Sequence, residues 1–185
     1  MNQKIKKLLT ILETTRETYW NISKEAGQFL NSLIKEFKIK RVLEIGTSNG
    51  YSGIWIAEAL AKNNGHLYTI ESNKKKRFPL AAANFERAGL SKTITQILGH
   101  APEAIPNSPK FFDLIFLDAT KYEHLLYLKK IIPRTKKGSI IIADNIISHK
   151  RELSPYIKEI QKLKNFESHL LHTDTGMLIS ARVKS

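Results

Sequence analysis

Cysteine is absent from the 185 residues. That removes disulfide frameworks, thiolate zinc sites and cysteine nucleophiles together. No apolar run approaches the roughly 18 residues that a membrane span needs. The first twenty residues, MNQKIKKLLTILETTRETYW, carry charges throughout and lack the uninterrupted apolar core of a signal peptide. These absences predict a soluble, cytoplasmic protein with no membrane association. Acid is scarce as well: 17 Asp and Glu stand against 30 Lys and Arg, for a net charge of +13. The excess is mostly lysine, in short clusters such as NKKKR at 73–77 and RTKK at 134–137. A basic surface attracts nucleic acid through long-range fields. Scattered lysines without interleaved aromatics equally describe a surface that only solvates the fold.

Several catalytic signatures are missing. There is no H-E-x-x-H zinc helix. Gly46, Gly50 and Gly53 form G-x-x-x-G-x-x-G, and Ser48 stands where a dinucleotide fingerprint needs its second glycine. No Gly-Lys-Ser/Thr follows, so the turn is not a phosphate-binding Walker loop. Such a turn suits a ligand with one nucleoside and no phosphates, although glycines also permit a tight strand-to-helix turn with no ligand at all.

What is present is a regular alternation. Residues 3–36 have apolar positions at helical spacing, which predicts two helices broken near 20–23. RVLEIG (41–46), HLYTIE (66–71), TITQILG (93–99), FDLIFLDA (112–119) and GSIIIADN (138–145) read as strands. Helical patterns lie between them at 52–62, 76–90 and 122–132, with another around 153–164. Pro79 falls in a first helical turn, where its missing N–H is harmless. ESHLLHT and GMLISARV close the chain as strands. Hydrophobic residues make up 42% of the sequence, enough for one core, and no linker or repeat divides it. The expectation is a single α/β domain over 1–185, with a Rossmann-like, doubly wound, mostly parallel seven-stranded sheet and helices on both faces. Residues 1–36 form an N-terminal helical segment expected to cover the active site.

In such sheets ligands sit beyond the carboxyl ends of the strands. Glu44 lies in the first strand, Glu71 ends the second, Asp118 closes the fourth and Asp144–Asn145 close the fifth. Glu71 is placed to accept hydrogen bonds from both hydroxyls of a ribose. Acids at the ends of apolar strands are costly if buried unpaired. Asp118, Asp144 and Asn145 together offer three oxygens, half an octahedral shell for Mg²⁺ or Mn²⁺. Either aspartate alone equally suits a helix cap. Lys121, three residues after Asp118, is a candidate base if burial and a nearby cation lower its pKa, and otherwise one more surface lysine. His100, His124 and His149 fall near the same rim without metal-ligand spacing. Trp20 and Tyr51 suit either a planar ligand or the core.

These residues resemble the class I S-adenosylmethionine-dependent methyltransferases, specifically the metal-dependent catechol/caffeoyl-CoA type of O-methyltransferase. VLEIGTSNGYS is similar to that family's first motif, FFDLIFLDATK to its D-A-x-K segment, and IIIADN to its Asp-Asn strand. The resemblance implies that Glu44, Gly46 and Ser52 line the S-adenosylmethionine pocket and that Glu71 holds the ribose. His100, Ala101 and Asp118 would complete that pocket. Asp118, Asp144 and Asn145 would bind Mg²⁺, with Lys121 as general base, and Ile22 and Ser23 would lie where the N-terminal segment closes over the reactants. Two departures stand out. His124 occupies the tyrosine place of D-A-x-K-x-x-Y, and Gly99-His100-Ala101 replaces the Gly-Asp-Ala that commonly lies beside adenine. The N-terminal region, which helps relatives to dimerise, is shorter here, and a homodimer is a further expectation. The acceptor implied is a small compound with vicinal hydroxyls, such as a catechol. The rivals are a modified wobble uridine of tRNA, which the +13 charge would suit, and a non-catalytic nucleotide-binding module.

Overall fold

The computed structural model describes residues 1–184. The strands are β1 (Arg41–Ile45), β2 (His66–Glu71), β3 (Ile94–Leu98), β4 (Leu114–Leu117), β5 (Ile140–Ala143), β6 (Phe166–Leu171) and β7 (Met177–Arg182). They form one seven-stranded sheet in the order β3-β2-β1-β4-β5-β7-β6. β1 to β5 run parallel, and β7 is antiparallel to both β5 and β6. The helices are α1 (Gln3–Glu13), α2 (Arg16–Tyr19), α3 (Lys24–Glu36), α4 (Tyr51–Lys62), α5 (Arg77–Ala88), α6 (His124–Ile131) and α7 (Lys150–Lys162). The doubly wound architecture is the one the alternation predicts.

Side chains in a strand alternate between the two faces of the sheet. Val42, Leu114, Phe116, Ile140 and Ile142 pack into one layer with α1, α3, α4 and α5. Leu43, Ile45, Ile115, Leu117 and Ile141 pack into the other with α6 and α7. Both faces are covered, which is why β4 and β5 are apolar at every position rather than at alternate ones. Parallel register then aligns the strand ends. Ile45 pairs with Ile70 and Leu117, Leu117 with Ala143, and Glu71 with Leu98. Gly46, Glu71, Gly99, Asp118 and Asp144 therefore leave the sheet at one rim. The strand order reverses between β1 and β4, and the crevice opens at that point.

Two boundaries differ from the sequence reading. The N-terminal segment contains three helices. Trp20, at φ +54°, and the Ser23 cap on the Ala26 N–H make the expected break. A further break comes at Thr14 and Thr15, whose hydroxyls donate to the Ile11 and Leu12 carbonyls and compete with helix continuation. α7 begins at Lys150, three residues before the predicted start, with Pro155 inside it. The carbonyl that Pro155 leaves without a donor belongs to Arg151, an exposed residue.

Among the described residues, Glu58 of α4 is the one acid buried in the helical layer. It accepts from Asn31 Nδ2 at 2.9 Å and pairs with Lys35 Nζ at 2.8 Å and Lys62 Nζ at 3.2 Å. Burial acts to raise its pKa, but Lys35, Asn31 and the Met1 amino group outweigh it and hold the carboxyl at about 2, against an ordinary 4.5. A depressed folded pKa means stability that is present above about 4.5 and lost as pH falls through about 2. Glu58→Gln is expected to cost about 2 kcal/mol at pH 7, the scale of a hydrogen-bonded charge. Its melting temperature should also fall less steeply than the wild type's between pH 5 and 3. Parallel pH profiles would remove this account.

Candidate active site

The site starts from a glycine that cannot be anything else. Gly46 leaves β1 at φ +107°, and a Cβ there would lie 2.2 Å from the backbone oxygen of Asp118. Its N–H and that of Thr47 both donate to the Ile70 carbonyl. The turn is thus clamped between the ends of β2 and β4. Ser48, at φ +51°, then donates its N–H to Glu71 Oε2 at 2.9 Å, and Asn73 N–H donates to Glu71 Oε1 at 2.8 Å. Glu71 is buried and faces a cleft of roughly 590 Å³, with a free lone pair on each oxygen for hydroxyl donors.

Glu44 and Ser52 sit one layer behind that wall. Ser52 Oγ donates to Glu44 Oε1 at 2.5 Å, and Thr69 Oγ1 donates to Oε2 at 2.6 Å. Thr47 Oγ1 meets Thr69 Oγ1 at 2.5 Å, so a chain of hydroxyls ties the turn to the carboxyl. Full burial pushes Glu44 up to about 7, opposed by the Ser52 and Thr69 hydroxyls and helped by the charges of Asp118 and Glu71. Neither residue borders the cleft. They brace the turn from behind, a side of β1 that spacing alone did not reveal.

Across the switch point, Asp118 borders the cleft, and Lys121 Nζ donates to its Oδ1 at 2.7 Å. Asp144 is 2% exposed and accepts from Thr175 Oγ1 at 2.8 Å. Burial and the charge of Asp118 both raise its pKa. Asn145, at φ +65°, presents its side chain to the cleft. Two acids repelling each other beside a polar amide make a donor set that fits a hard divalent cation. Among the described residues no three His, Cys, Asp or Glu side chains come together as a metal cluster, so such a site depends on the Asn145 amide.

His124 is fully buried. Its Nδ1 lies 3.1 Å from the Thr120 carbonyl, while its ring meets Tyr156 edge-on and Tyr127 at a tilt. Burial pushes it down to about 4, so a neutral ring supports the 118–121 turn from within. His100, Ala101 and His149 border the cleft. Trp20 does too, 71% exposed and 4.9 Å from the Arg77 guanidinium, whereas Tyr51 is core. Ile22 and Ser23 are buried and lie outside the wall; Tyr19 and Trp20 are the part of the N-terminal segment that reaches it. Sequence reasoning missed Thr175, Arg77, Glu123 and Tyr127. Thr175 belongs to the turn between β6 and β7, far away in sequence, and carries no local signal.

A family model described as O-methyltransferase matches residues 2–180. A catechol O-methyltransferase of Niastella koreensis is 34% identical over 156 residues, covering 81% of this chain and 70% of its own. A crystal structure described as an O-methyltransferase from Klebsiella pneumoniae superposes with a TM-score of 0.87 at 25% identity, covering 100% of this chain and 91% of that one. The Bacillus cereus O-methyltransferase in complex with SAH has the same fold, with a TM-score of 0.85 at 24% identity over 98% of this chain and 91% of that one. A match that runs from the first helix to the last strand leaves one assignment: this chain belongs to the O-methyltransferase family and is a class I, S-adenosylmethionine-dependent methyltransferase.

Proposed function

We propose that the chain methylates a hydroxyl of a small compound with two vicinal oxygens, using a divalent cation held by Asp118, Asp144 and Asn145. The observation that supports this reading is that Asp118, hydrogen-bonded to Lys121, borders the cleft with Asn145, while the charges of Asp118 and Lys121 both act on the buried Asp144 carboxyl. The similarity to a catechol O-methyltransferase supports the acceptor class. Bound there, the cation would supply positive charge that makes a nearby substrate hydroxyl more acidic. S-Adenosylmethionine supplies the methyl group on a sulfonium that is already a good leaving group.

The chain's own residues do the rest. Glu71 accepts the ribose hydroxyls, and the glycine turn lets the nucleoside approach the backbone. Lys121 takes the hydroxyl proton on Nζ, beside Asp118. The oxygen then forms its bond to the methyl carbon as the carbon–sulfur bond breaks. Tyr19 and Trp20 lie over the cleft and restrict water.

The test is labelled methyl transfer from S-adenosylmethionine to catechol, phenol and total tRNA, with Mg²⁺ and with EDTA. Catechol is expected to be labelled only with Mg²⁺, and phenol not at all. Label on tRNA alone, or turnover that ignores EDTA, would overturn the reading. Lys121→Met should lower kcat by roughly 10²–10⁴, the range for a lost general base. Its Kd for S-adenosylhomocysteine should stay within about twofold, because one hydrogen bond at most is involved. An unchanged kcat would remove Lys121 from the chemistry.

A further inference from the structure

His100 borders the cleft beyond β3, and its surroundings show what a histidine can do there. The ribose end of the cleft is Glu71, at the tip of β2. The reacting end is Asp118 and Lys121, beyond β4 on the other side of β1. A nucleoside held at Glu71 with its sulfonium towards Lys121 must send its base the opposite way, over the end of β3. The wall there is Ile70, Gly99, His100 and Ala101. Ile70 and Ala101 are apolar and suit a ring face, and His100 is the polar side chain that the loop after β3 adds to the cleft wall.

The ring of His100 is not free to choose its tautomer. Its Nε2 lies 3.1 Å from both carboxylate oxygens of Glu123. Glu123 also accepts from the hydroxyl of Tyr127 at 2.6 Å, which holds the carboxylate in place. A carboxylate has only lone pairs to offer, so Nε2 carries the hydrogen and donates. In the neutral ring Nδ1 then keeps its lone pair. Adenine presents an exocyclic amine, a donor, at its outer edge; a 6-oxo purine presents an acceptor in the same position.

We infer that His100, with its tautomer set by Glu123, selects the adenine amine of the cofactor. Glu123 acts through His100 and is a positioning residue. This inference rests on the S-adenosylmethionine reading above and extends it to how this chain recognises the base without an acid at position 100.

Calorimetric Kd values for S-adenosylhomocysteine and its 6-oxo analogue S-inosylhomocysteine test it, independently of turnover. Wild type is expected to prefer the adenine form by about tenfold or more, the size of one well-placed hydrogen bond against an unmade one. His100→Phe should weaken the adenine form about tenfold, leave the 6-oxo form unchanged and so erase the preference. Glu123→Leu should also reduce the preference, by freeing the tautomer. His100→Asp should keep it, and adding Glu123→Leu to His100→Asp should cost nothing further, because an aspartate needs no partner to accept. A preference that survives in His100→Phe, or an equal loss from Glu123→Leu in both backgrounds, would overturn the inference. Failure of S-adenosylhomocysteine to bind wild type would instead overturn the cofactor reading itself.

Discussion

Asp144→Asn is expected to lower kcat with catechol by at least about 10³-fold while leaving the Kd for S-adenosylhomocysteine within about twofold. The lost charge removes one of two carboxylates proposed to hold the cation, and a metal ion supplies several kcal/mol to a transition state. Asparagine keeps an oxygen for the Thr175 hydroxyl, so the loop should hold its shape. The same change has an opposite consequence for stability. Burial and Asp118 raise the folded pKa of Asp144 above its ordinary 3.8. A raised folded pKa for an acid means that its contribution is most favourable below that ordinary value and is lost as pH rises through the raised one. With EDTA present, the variant should therefore melt at or above the wild-type temperature at pH 8. Its margin over the wild type should shrink at pH 5. Mg²⁺ should raise the melting point of wild type and leave that of the variant alone. An active Asp144→Asn enzyme, or a wild type whose melting point ignores Mg²⁺, would count against the cation site.

The second large effect concerns the turn and not the chemistry. Gly46→Ala places a methyl group 2.2 Å from the Asp118 backbone oxygen and 2.7 Å from its carbonyl carbon. Neither atom is the end of a flexible side chain, so β1 and β4 must separate or the turn must rebuild. The position also sits at φ +107°, where an L side chain is strained. The expected cost is about 3 kcal/mol or more, among the larger values for a point mutation. In a chain of this length that corresponds to a melting temperature lower by roughly 10 °C. Gly89→Ala separates the two causes. Gly89 has φ +72° and nothing within 4 Å of the added Cβ, so it carries conformational strain alone. Its cost should be about 1 kcal/mol. Chemical denaturation of the two variants gives both numbers, and equal costs would mean that the close approach to Asp118 is unimportant.

The apolar runs at 41–46, 66–71, 112–119 and 138–145 are legible as buried parallel strands because both faces of the sheet are covered. Once the strands are parallel and in register, Glu71, Asp118 and Asp144 share a rim whatever the details of packing. That much needs only local pattern and the geometry of a parallel sheet. The glycine spacing was likewise readable, since the φ of Gly46 and Gly50 is a backbone demand that other residues meet poorly.

The amino-acid order could not say which way a rim residue faces or what reaches it from elsewhere. Glu44 and Glu71 are both acids on adjacent strands, yet one braces the turn from behind and the other borders the cleft. Position relative to the strand end decides this: Glu44 pairs with Thr69 inside the sheet, whereas Glu71 is the last residue of β2. His124 looked like a rim histidine, but α6 turns it into the layer between Tyr127 and Tyr156. Thr175 reaches Asp144, and Arg16 pairs with Asp174, across about 30 and more than 150 residues of chain. His100 and Glu123 meet only because the loops after β3 and β4 cross the same cleft. Periodicity and spacing report on neighbours within a few residues along the chain. Contacts between loops depend on sheet twist, helix docking and loop path together, and those are set only when the whole chain has packed.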